Sequence, residues 1–214
     1  MDENGATKTS WSLNAAKTDE IVIDFRRNKS SIVLVTKGKE VRIDKQYKYL
    51  GTVIDDNLEW TTNMEACYKK ANQRMHFPRK LKNFKLNNNI LYLFFQSVVQ
   101  SNMLYNQICH YSNARKADTE RLDRITAAAR KLTRRQLRSP TAICQDASLR
   151  KVMRIVSDIT HPLYPAPSSC ASRRESTKRF ISIKSRTKRF KNLFLPTAIK
   201  LFNATDRSSD TRQP

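Results

Sequence analysis

The stretch TTNMEACYKKANQRMHFPRKLKNF, residues 61–84, decides the fold because the sequence changes here from strand to helix periodicity. It opens with Thr62-x-x-Glu65, a capping-box arrangement in which each side chain can bind the free backbone amide of the other residue. Pro78 lacks a backbone N–H and clashes with the preceding turn, so the helix is predicted to kink or end there. The apolar face of this helix is formed at helical spacing by Met64, Tyr68, Ala71 and Met75.

Three further helices are predicted after this stretch. Residues 87–105 are apolar on nearly every side in their first half, which favours a buried helix. Polar residues from Gln96 onward interrupt a run that is already shorter than the ~20 residues a bilayer requires. A third helix is predicted at 117–134 and a fourth at 141–157. The residues predicted to face inward in the third are Leu122, Ile125, Ala129 and Leu132.

The residues before this stretch favour strands. Ile21, Ile23 and Phe25 recur at period two on one face of residues 20–26, and residues 31–35 are β-branched and apolar. A turn signal at 36–39 and two further short runs complete about four antiparallel strands that end near Ile54. The predicted fold class is therefore α+β and dominated by helices, with a small antiparallel region, a bundle of three or four helices and a basic tail.

The charge of the chain points to a polyanionic partner. The 214 residues include 41 Lys and Arg against 19 Asp and Glu, which gives a formal net charge of +22. The excess is larger in residues 115–214, with 24 basic and 8 acidic residues, than in residues 1–114, with 17 and 11. Lysine and arginine bind phosphates by releasing condensed counterions, so nucleic acid is the favoured partner. A generically basic surface is the alternative, and no lipid-anchor motif supports a membrane partner.

The cysteines and histidines do not form a recognisable metal motif. The four cysteines are far apart and include no CxxC pair, so a zinc knuckle and a redox dithiol are not predicted. No signal peptide is apparent at the N-terminus, so free thiols in a reducing intracellular compartment, nuclear or cytoplasmic, are expected. No metal and no cofactor is predicted. The cysteines are Cys67, Cys109, Cys144 and Cys170.

Six segments of the chain form an ordered series. They are LNAAKTDEIVIDF (13–25), YKYLGTVIDDNLEW (47–60), KKANQRMHFPRKLKNF (69–84), ERLDRI (120–125), DITHPLYP (158–165) and RTKRFKNLFLPTAIKLFN (186–203). In this order they resemble the C-terminal part of the reverse transcriptase of vertebrate LINE-type (non-LTR) retrotransposons. The resemblance covers nearly everything from Ser12 to Asn203, whereas the first eleven residues match nothing in that family.

The resemblance implies a division of the chain into functional segments. The β region corresponds to part of a polymerase palm, the helices to its thumb, and the remainder to a basic C-terminal segment. The implied boundaries are 1–11 for an unmatched start, 12–59 for the partial palm with motif D and the primer grip, 60–158 for the thumb, 159–172 for a Pro-rich linker and 173–214 for the basic segment.

The resemblance also implies that this chain is not an enzyme. The catalytic aspartates of the family lie on palm motifs that precede the matched region, and Lys17 is a vestige of the motif D lysine. Asp55 and Asp56 fall between the primer grip and the thumb. Polymerase chemistry needs carboxylates that converge from separate strands on two metal ions, so this adjacent pair is interpreted as turn-forming.

The resemblance implies that the partial palm, the thumb and the basic segment bind the backbone of RNA or an RNA–DNA hybrid nonspecifically. It implies no membrane partner and no small-molecule substrate. A polymerase fragment acting in trans is a further candidate partner. The primer-grip residues are Tyr49, Leu50 and Gly51. The candidate phosphate-binding residues are Lys69, Lys70, Arg74, Arg124, Lys131, Arg134, Arg135, Arg138, Arg173, Arg174, Arg186, Lys188 and Arg189.

Two alternatives remain open. Residues 60–84 also resemble a segment named after the N-terminus of the AlkB-homologue tRNA-modifying dioxygenase and methyltransferase. An Fe(II) dioxygenase needs two histidines and a carboxylate, but His76, His110 and His161 include no HxD motif. The second alternative is a product without function. In that case unpaired palm strands would expose edges that favour aggregation.

Some residues depart from the reverse-transcriptase pattern within the matched region. Pro78 replaces a helix-compatible leucine, and Asn102-Met103 replaces a more apolar pair. Both substitutions affect the register expected for the predicted helices.

Overall fold

The computed structural model describes residues 18–26, 34–36, 39–164, 180 and 184–210. Within these residues the chain is α+β and dominated by helices, as predicted. It divides into two compact units, Met1–Thr62 and Asn63–Pro214. The boundaries of the five functional segments implied by the resemblance remain a prediction.

The first unit contains six short strands in its described part. They pair two by two: β1 with β4 in parallel, β2 with β3 and β5 with β6 antiparallel. The expectation of antiparallel strands is therefore confirmed for two of the three pairs, whereas the number of strands is six instead of about four, and β1 pairs with β4 in parallel. The strands are β1 (Asp19–Glu20), β2 (Val35–Thr36), β3 (Lys39–Glu40), β4 (Arg42–Ile43), β5 (Gln46–Tyr49) and β6 (Thr52–Asp55).

The predicted strand at 20–26 is also corrected. Only its start pairs, with Asp19 opposite Arg42 and Glu20 opposite Ile43, and residues 21–25 have no regular structure. Alternating side chains favour a strand, but the backbone N–H and C=O groups also need a neighbouring chain to bind. For 31–35 only residues 34 and 35 are described, and Thr36 pairs with Lys39 as the predicted turn requires.

The β5–β6 hairpin ends in the two-residue loop Leu50–Gly51. Both residues have positive φ, 45° and 85°, as primed two-residue turns require because their twist matches that of the strands. Glycine adopts this conformation without strain, whereas for a residue with a Cβ it costs about 1 kcal/mol. Leu50 nevertheless occupies the first loop position with 73% of its surface exposed.

Replacing Leu50 with Asn is expected to stabilise the hairpin by about 1 kcal/mol, because Asn-Gly is the preferred loop for this turn. Hydrogen exchange of the β5 and β6 amides should slow by about fivefold. Leu50→Ala is the matched control, since it removes the same exposed side chain and leaves the backbone strain. Equal exchange rates in Leu50→Asn and the native chain would contradict the strained turn.

The second unit consists of helices in its described part. Two departures from the α-helix occur, a π-helical segment at Phe95–Gln100 and a 3₁₀ turn at Tyr111–Asn113. The α-helices are α1 (Thr61–Arg74), α2 (His76–Asn83), α3 (Asn88–Phe94), α4 (Ser101–Met103), α5 (Gln107–His110), α6 (Lys116–Thr133), α7 (Pro140–Ser157), α8 (Lys188–Lys191) and α9 (Phe194–Asp210).

The predicted break near Pro78 is confirmed. Helix α1 ends at Arg74. In a continuous helix the ring of Pro78 would clash with the carbonyl of Arg74, four residues before it. Pro78 then lies in the first turn of α2, where backbone N–H groups have no intrahelical acceptor. Its missing donor therefore costs no helical hydrogen bond, and its ring is buried.

The predicted buried helix at 87–105 is corrected in two ways. It is divided into α3, the π segment and α4, and only one of its faces is buried, because Ile90 and Leu93 are exposed. Its core residues recur every four positions, wider than the 3.6-residue period of an α-helix. The wider π turn keeps them on one side. They are Leu91, Phe95, Val99 and Met103, each at most 1% exposed.

Side chains satisfy a backbone carbonyl in the π segment. The oxygen of Val98 accepts hydrogen bonds from Arg74 Nη1 at 3.2 Å and from Asn102 Nδ2 at 3.0 Å. Asn102 and Met103 therefore fit this fold, one as a donor and the other as a buried core residue.

Helices α6 and α7 cover the remaining sides of the core. Ser139 caps α7 by accepting a hydrogen bond from the Ala142 amide at 3.2 Å, and Pro140 occupies the first turn. Leu122, Ile125 and Ala129 of α6 are buried as predicted, and Leu132 is half-buried. The main cluster consists of Met64, Ala71, Met75, Phe95, Val99, Met103, Tyr111, Leu122, Ile125, Ala129, Leu137 and Cys144.

The C-terminal apolar segment docks on the helical body. Helix α9 packs against α7 and buries Ala198 and Ile199.

Residues 158–164 form turns stabilised by the Asp158 side chain, which accepts a hydrogen bond from the Thr160 amide at 3.0 Å. These turns include the described part of the predicted linker, and its residues 165–172 lie outside the described residues. Among the described helices none has the length and apolar character to cross a membrane.

Candidate nucleic-acid interface

The solvent side of α6 carries a stripe of basic residues. Arg124, Ala127 and Lys131 are exposed at i, i+3 and i+7, and Arg134 and Arg135 follow where the helix ends. We call these five residues the α6 stripe. In the described part of the chain, no carboxylate forms an ion pair with Arg124, Lys131 or Arg134. Because alanine is small, it allows a flat or convex ligand to approach the helix between the two cations.

The end of α6 is held in place by internal hydrogen bonds. Arg134 closes the helix with φ of 53° and donates its amide to the Arg130 carbonyl. The guanidinium of Arg130 donates through Nε at 3.1 Å and Nη2 at 2.7 Å to the carbonyl of Leu137. Arg130 therefore fixes the loop that presents the last two cations of the α6 stripe.

Arg135 is oriented by contacts with α3. Its guanidinium lies over the ring of Tyr92, 5.0 Å from the centroid, and donates to the side chain of Asn89. The Tyr92 hydroxyl in turn accepts from Gln96 Nε2 at 2.7 Å. Stacking on an aromatic ring leaves the edge of a guanidinium available for further hydrogen bonds.

Some predicted phosphate-binding residues have protein partners instead. Lys69 lies 2.9 Å from Glu65, and its hydrogen bond holds the pKa of that carboxyl below the ordinary value. Arg138 pairs with Asp146 at 2.6 Å. Arg74 is half-buried and donates a hydrogen bond to the Val98 carbonyl, so its primary role is structural. Sequence reasoning missed this role because the acceptor lies 24 residues away.

The other predicted residues are distributed along the chain. Lys70, Arg186 and Lys188 are exposed, and Arg189 is half-buried. Lys17, Arg173 and Arg174 lie outside the described residues. Their roles remain predictions.

The primer-grip residues Tyr49, Leu50 and Gly51 form the tip of the β5–β6 hairpin in the first unit. Asp55 and Asp56 lie at its other end. The Asp55 carboxylate accepts the Glu59 amide at 2.8 Å, and Asp56 accepts from the Asn57 side chain at 2.9 Å. These contacts agree with the interpretation of both aspartates as turn-forming residues.

A second basic region was not predicted from the sequence. Arg79, Lys80, Lys82 and Lys85 are exposed on α2 and in the turn after it. The signal that could have revealed it is the absence of Asp and Glu from residues 66–117, a stretch with nine Lys and Arg. Arg121 is half-buried, and its guanidinium lies over the Tyr68 ring at 4.7 Å from the centroid.

The described residues contain no group of three or more His, Cys, Asp or Glu arranged to hold a metal ion. His110 is buried with Nε2 3.2 Å from the Tyr105 carbonyl, and burial lowers its pKa. Cys67, Cys109 and Cys144 are free thiols. Burial raises the pKa of Cys67 and Cys144, which reduces thiolate reactivity.

The comparisons with known proteins find a partial similarity. Residues 60–101 match a family model described as alkylated DNA repair protein alkB homolog 8, N-terminal. No curated protein and no solved structure matches the chain. The matched region includes α1, α2, α3 and the π segment. It contains one histidine, His76, and one carboxylate, Glu65, so it does not contain two histidines and a carboxylate.

Proposed function

We propose that the helical unit binds the backbone of RNA or an RNA–DNA hybrid without reading its sequence. The observation that carries this proposal is the α6 stripe, whose cations Arg124, Lys131 and Arg134 have no carboxylate partner in the described structure. Like charges held on one rigid face repel one another unless a polyanion neutralises them. Contacts of this kind position a duplex and carry no sequence information.

The proposal includes an origin. The order of the matching segments supports a non-catalytic remnant of a non-LTR retrotransposon reverse transcriptase, comprising part of the palm, the thumb and a basic C-terminal segment. Such a remnant would bind template–primer backbone by itself or complement a polymerase fragment in trans. The proposal assigns it no catalytic residue and no cofactor.

The double variant Arg124→Gln/Lys131→Gln tests the α6 stripe. Each lost phosphate contact removes about one unit from the slope of log affinity against log salt concentration, so the slope should fall by about two. Fluorescence anisotropy with a labelled RNA–DNA hybrid measures the affinity at several salt concentrations. The change should be the same for unrelated hybrid sequences.

The matched control is Arg150→Gln/Lys151→Gln on α7, where both side chains are exposed. It removes the same net charge from a different helix. If both variants lose the same affinity and slope, the binding arises from overall charge and the α6 stripe has no special role. Circular dichroism at 222 nm shows whether both variants keep their helices.

The family match at 60–101 favours a second candidate, a helical module shared with the N-terminal part of alkB homolog 8. The resemblance of residues 60–84 associates this candidate with dioxygenase or tRNA-methyltransferase function. Fe(II)- and 2-oxoglutarate-dependent turnover of alkylated RNA by the purified chain would support it. Affinity for RNA without such turnover would leave backbone binding as the better description.

A further inference from the structure

We infer that α2 and the residue after it form a stacking site for unpaired bases of single-stranded nucleic acid. Phe77, Lys80 and Phe84 recur at i, i+3 and i+7 and therefore lie along one side of α2, and we call them the α2 stripe. Phe77 is 52% exposed and Phe84 75% exposed, which is unusual for large aromatic side chains. The inference rests on the proposed function and extends it from duplex backbone to unpaired bases.

The adjoining side of α2 packs on the core and fixes the orientation of the α2 stripe. Pro78 is buried and Leu81 is half-buried, three residues apart, so this side of the short helix faces the core. The Phe77 ring contacts Phe94 of α3 with centroids 6.4 Å apart. That contact restrains the ring while about half of the residue remains accessible.

Phe84 is presented by a tight turn. Its amide donates to the Leu81 carbonyl at 3.2 Å, and the amide of Lys85 donates to Lys82 at 3.0 Å. Lys85 adopts φ of 54°, so the chain turns sharply directly after the aromatic residue. A side chain at such a turn is positioned by the backbone before any ligand binds.

The electrostatic surroundings favour a phosphate-bearing ligand. Lys80 lies between the two rings in the α2 stripe, and Arg79, Lys82 and Lys85 are exposed beside it. No acidic residue occurs anywhere in residues 66–117. The two aromatic positions are about 10 Å apart along the axis, at ~1.5 Å per residue. Aromatic rings interleaved with cations are the general means of binding single strands, with bases stacked on the rings and phosphates on the charges.

An anionic membrane is the competing ligand, because Ile90 and Leu93 of α3 are also exposed. Helices that bind membrane surfaces rely on a broad apolar face along their length. Helix α2 has eight residues, and its solvent side offers two rings separated by lysine. The observations therefore favour bases over lipid.

The experiment compares the full chain with the double variant Phe77→Leu/Phe84→Leu, which keeps apolar side chains but removes the aromatic rings. Each is titrated against a blunt RNA–DNA hybrid and against the same hybrid with an eight-nucleotide single-stranded extension containing 2-aminopurine. The native chain should bind the extended hybrid at least about fivefold more tightly, the gain expected for one stacked base. Binding should also quench the 2-aminopurine fluorescence, because a base stacked on an aromatic ring loses emission.

In the variant, the gain and the quenching should disappear while the affinity for the blunt hybrid is unchanged. Leu93→Ala is the matched control for loss of exposed apolar surface and should keep both signals. If the native chain fails to bind the blunt hybrid, backbone binding itself is wrong. If it binds the blunt hybrid but gains nothing from the extension, or if the variant keeps the gain, only the stacking site is overturned.

Binding to vesicles that contain phosphatidylserine tests whether the ligand of the α2 stripe is an anionic membrane instead of unpaired bases. Vesicle binding that the variant loses, with no gain or quenching on the extended hybrid, would replace bases with lipid as the ligand. Absence of vesicle binding together with a gain that requires the rings supports the inference.

Discussion

Raising the salt concentration from 50 mM to 200 mM is expected to weaken binding of the full chain to an RNA–DNA hybrid by on the order of 10³-fold. This is the loss expected for a protein that contacts about six phosphates, because each contact releases condensed counterions whose entropy gain shrinks as bulk salt increases. Three cations of the α6 stripe lack a carboxylate partner in the described structure. Four more lie on α2 and the turn after it, among them Lys80 of the α2 stripe.

The measurement is a series of anisotropy titrations at four salt concentrations, with circular dichroism on the same samples. The dichroism verifies that the helices persist at each concentration, so that a change in affinity is not a change in folding. A second hybrid of unrelated sequence should give the same slope, because phosphate contacts do not distinguish sequences. A slope near zero would contradict nucleic-acid backbone binding. The excess positive charge would then be interpreted as a generically basic surface.

The features that the sequence predicted correctly are those determined by neighbouring residues. The end of α1 before Pro78 follows from steric conflict within one turn of helix, and the inward face of α6 follows from its spacing. These conclusions need no knowledge of what lies across the core.

The features that could not be predicted depend on contacts between distant parts of the chain. Residues 87–105 read as a continuous helix because nothing in their composition marks a π turn, and its carbonyl at Val98 is satisfied in part by Arg74 from α1. The parallel pairing of β1 with β4 joins segments 23 residues apart. Side-chain alternation along one strand contains no information about which segment will lie beside it.

The same limitation affects the candidate interface. A count of positive charge treats Arg74, Arg130 and Arg124 alike, but the first two donate to backbone carbonyls and stabilise the fold. Only the structure separates them from Arg124, which is exposed on the α6 stripe. Substituting Arg74 or Arg130 would therefore confuse a loss of folding with a loss of binding, whereas Arg124 and Lys131 avoid this problem.

Replacing Phe95 with Ala is expected to lower the free energy of unfolding of the helical unit by about 3–5 kcal/mol, because it removes a fully buried ring and leaves a cavity. Phe95 is 1% exposed and begins the π segment. The measurement is urea unfolding followed by circular dichroism at 222 nm. Leu93→Ala is the control, since this neighbour is exposed and its loss should change stability by no more than about 0.5 kcal/mol.

Met103→Ala extends the test to the register of the π segment. In an uninterrupted α-helix, Met103 would be rotated by about 120° from Leu91, since each residue advances about 100°. It would then lie at the edge of the apolar face, and its truncation would cost less. With the π turn, Met103 is 1% exposed, and its truncation should cost about 2–5 kcal/mol. A small effect at Met103 with a large one at Phe95 would show that the helix continues without the π turn in solution.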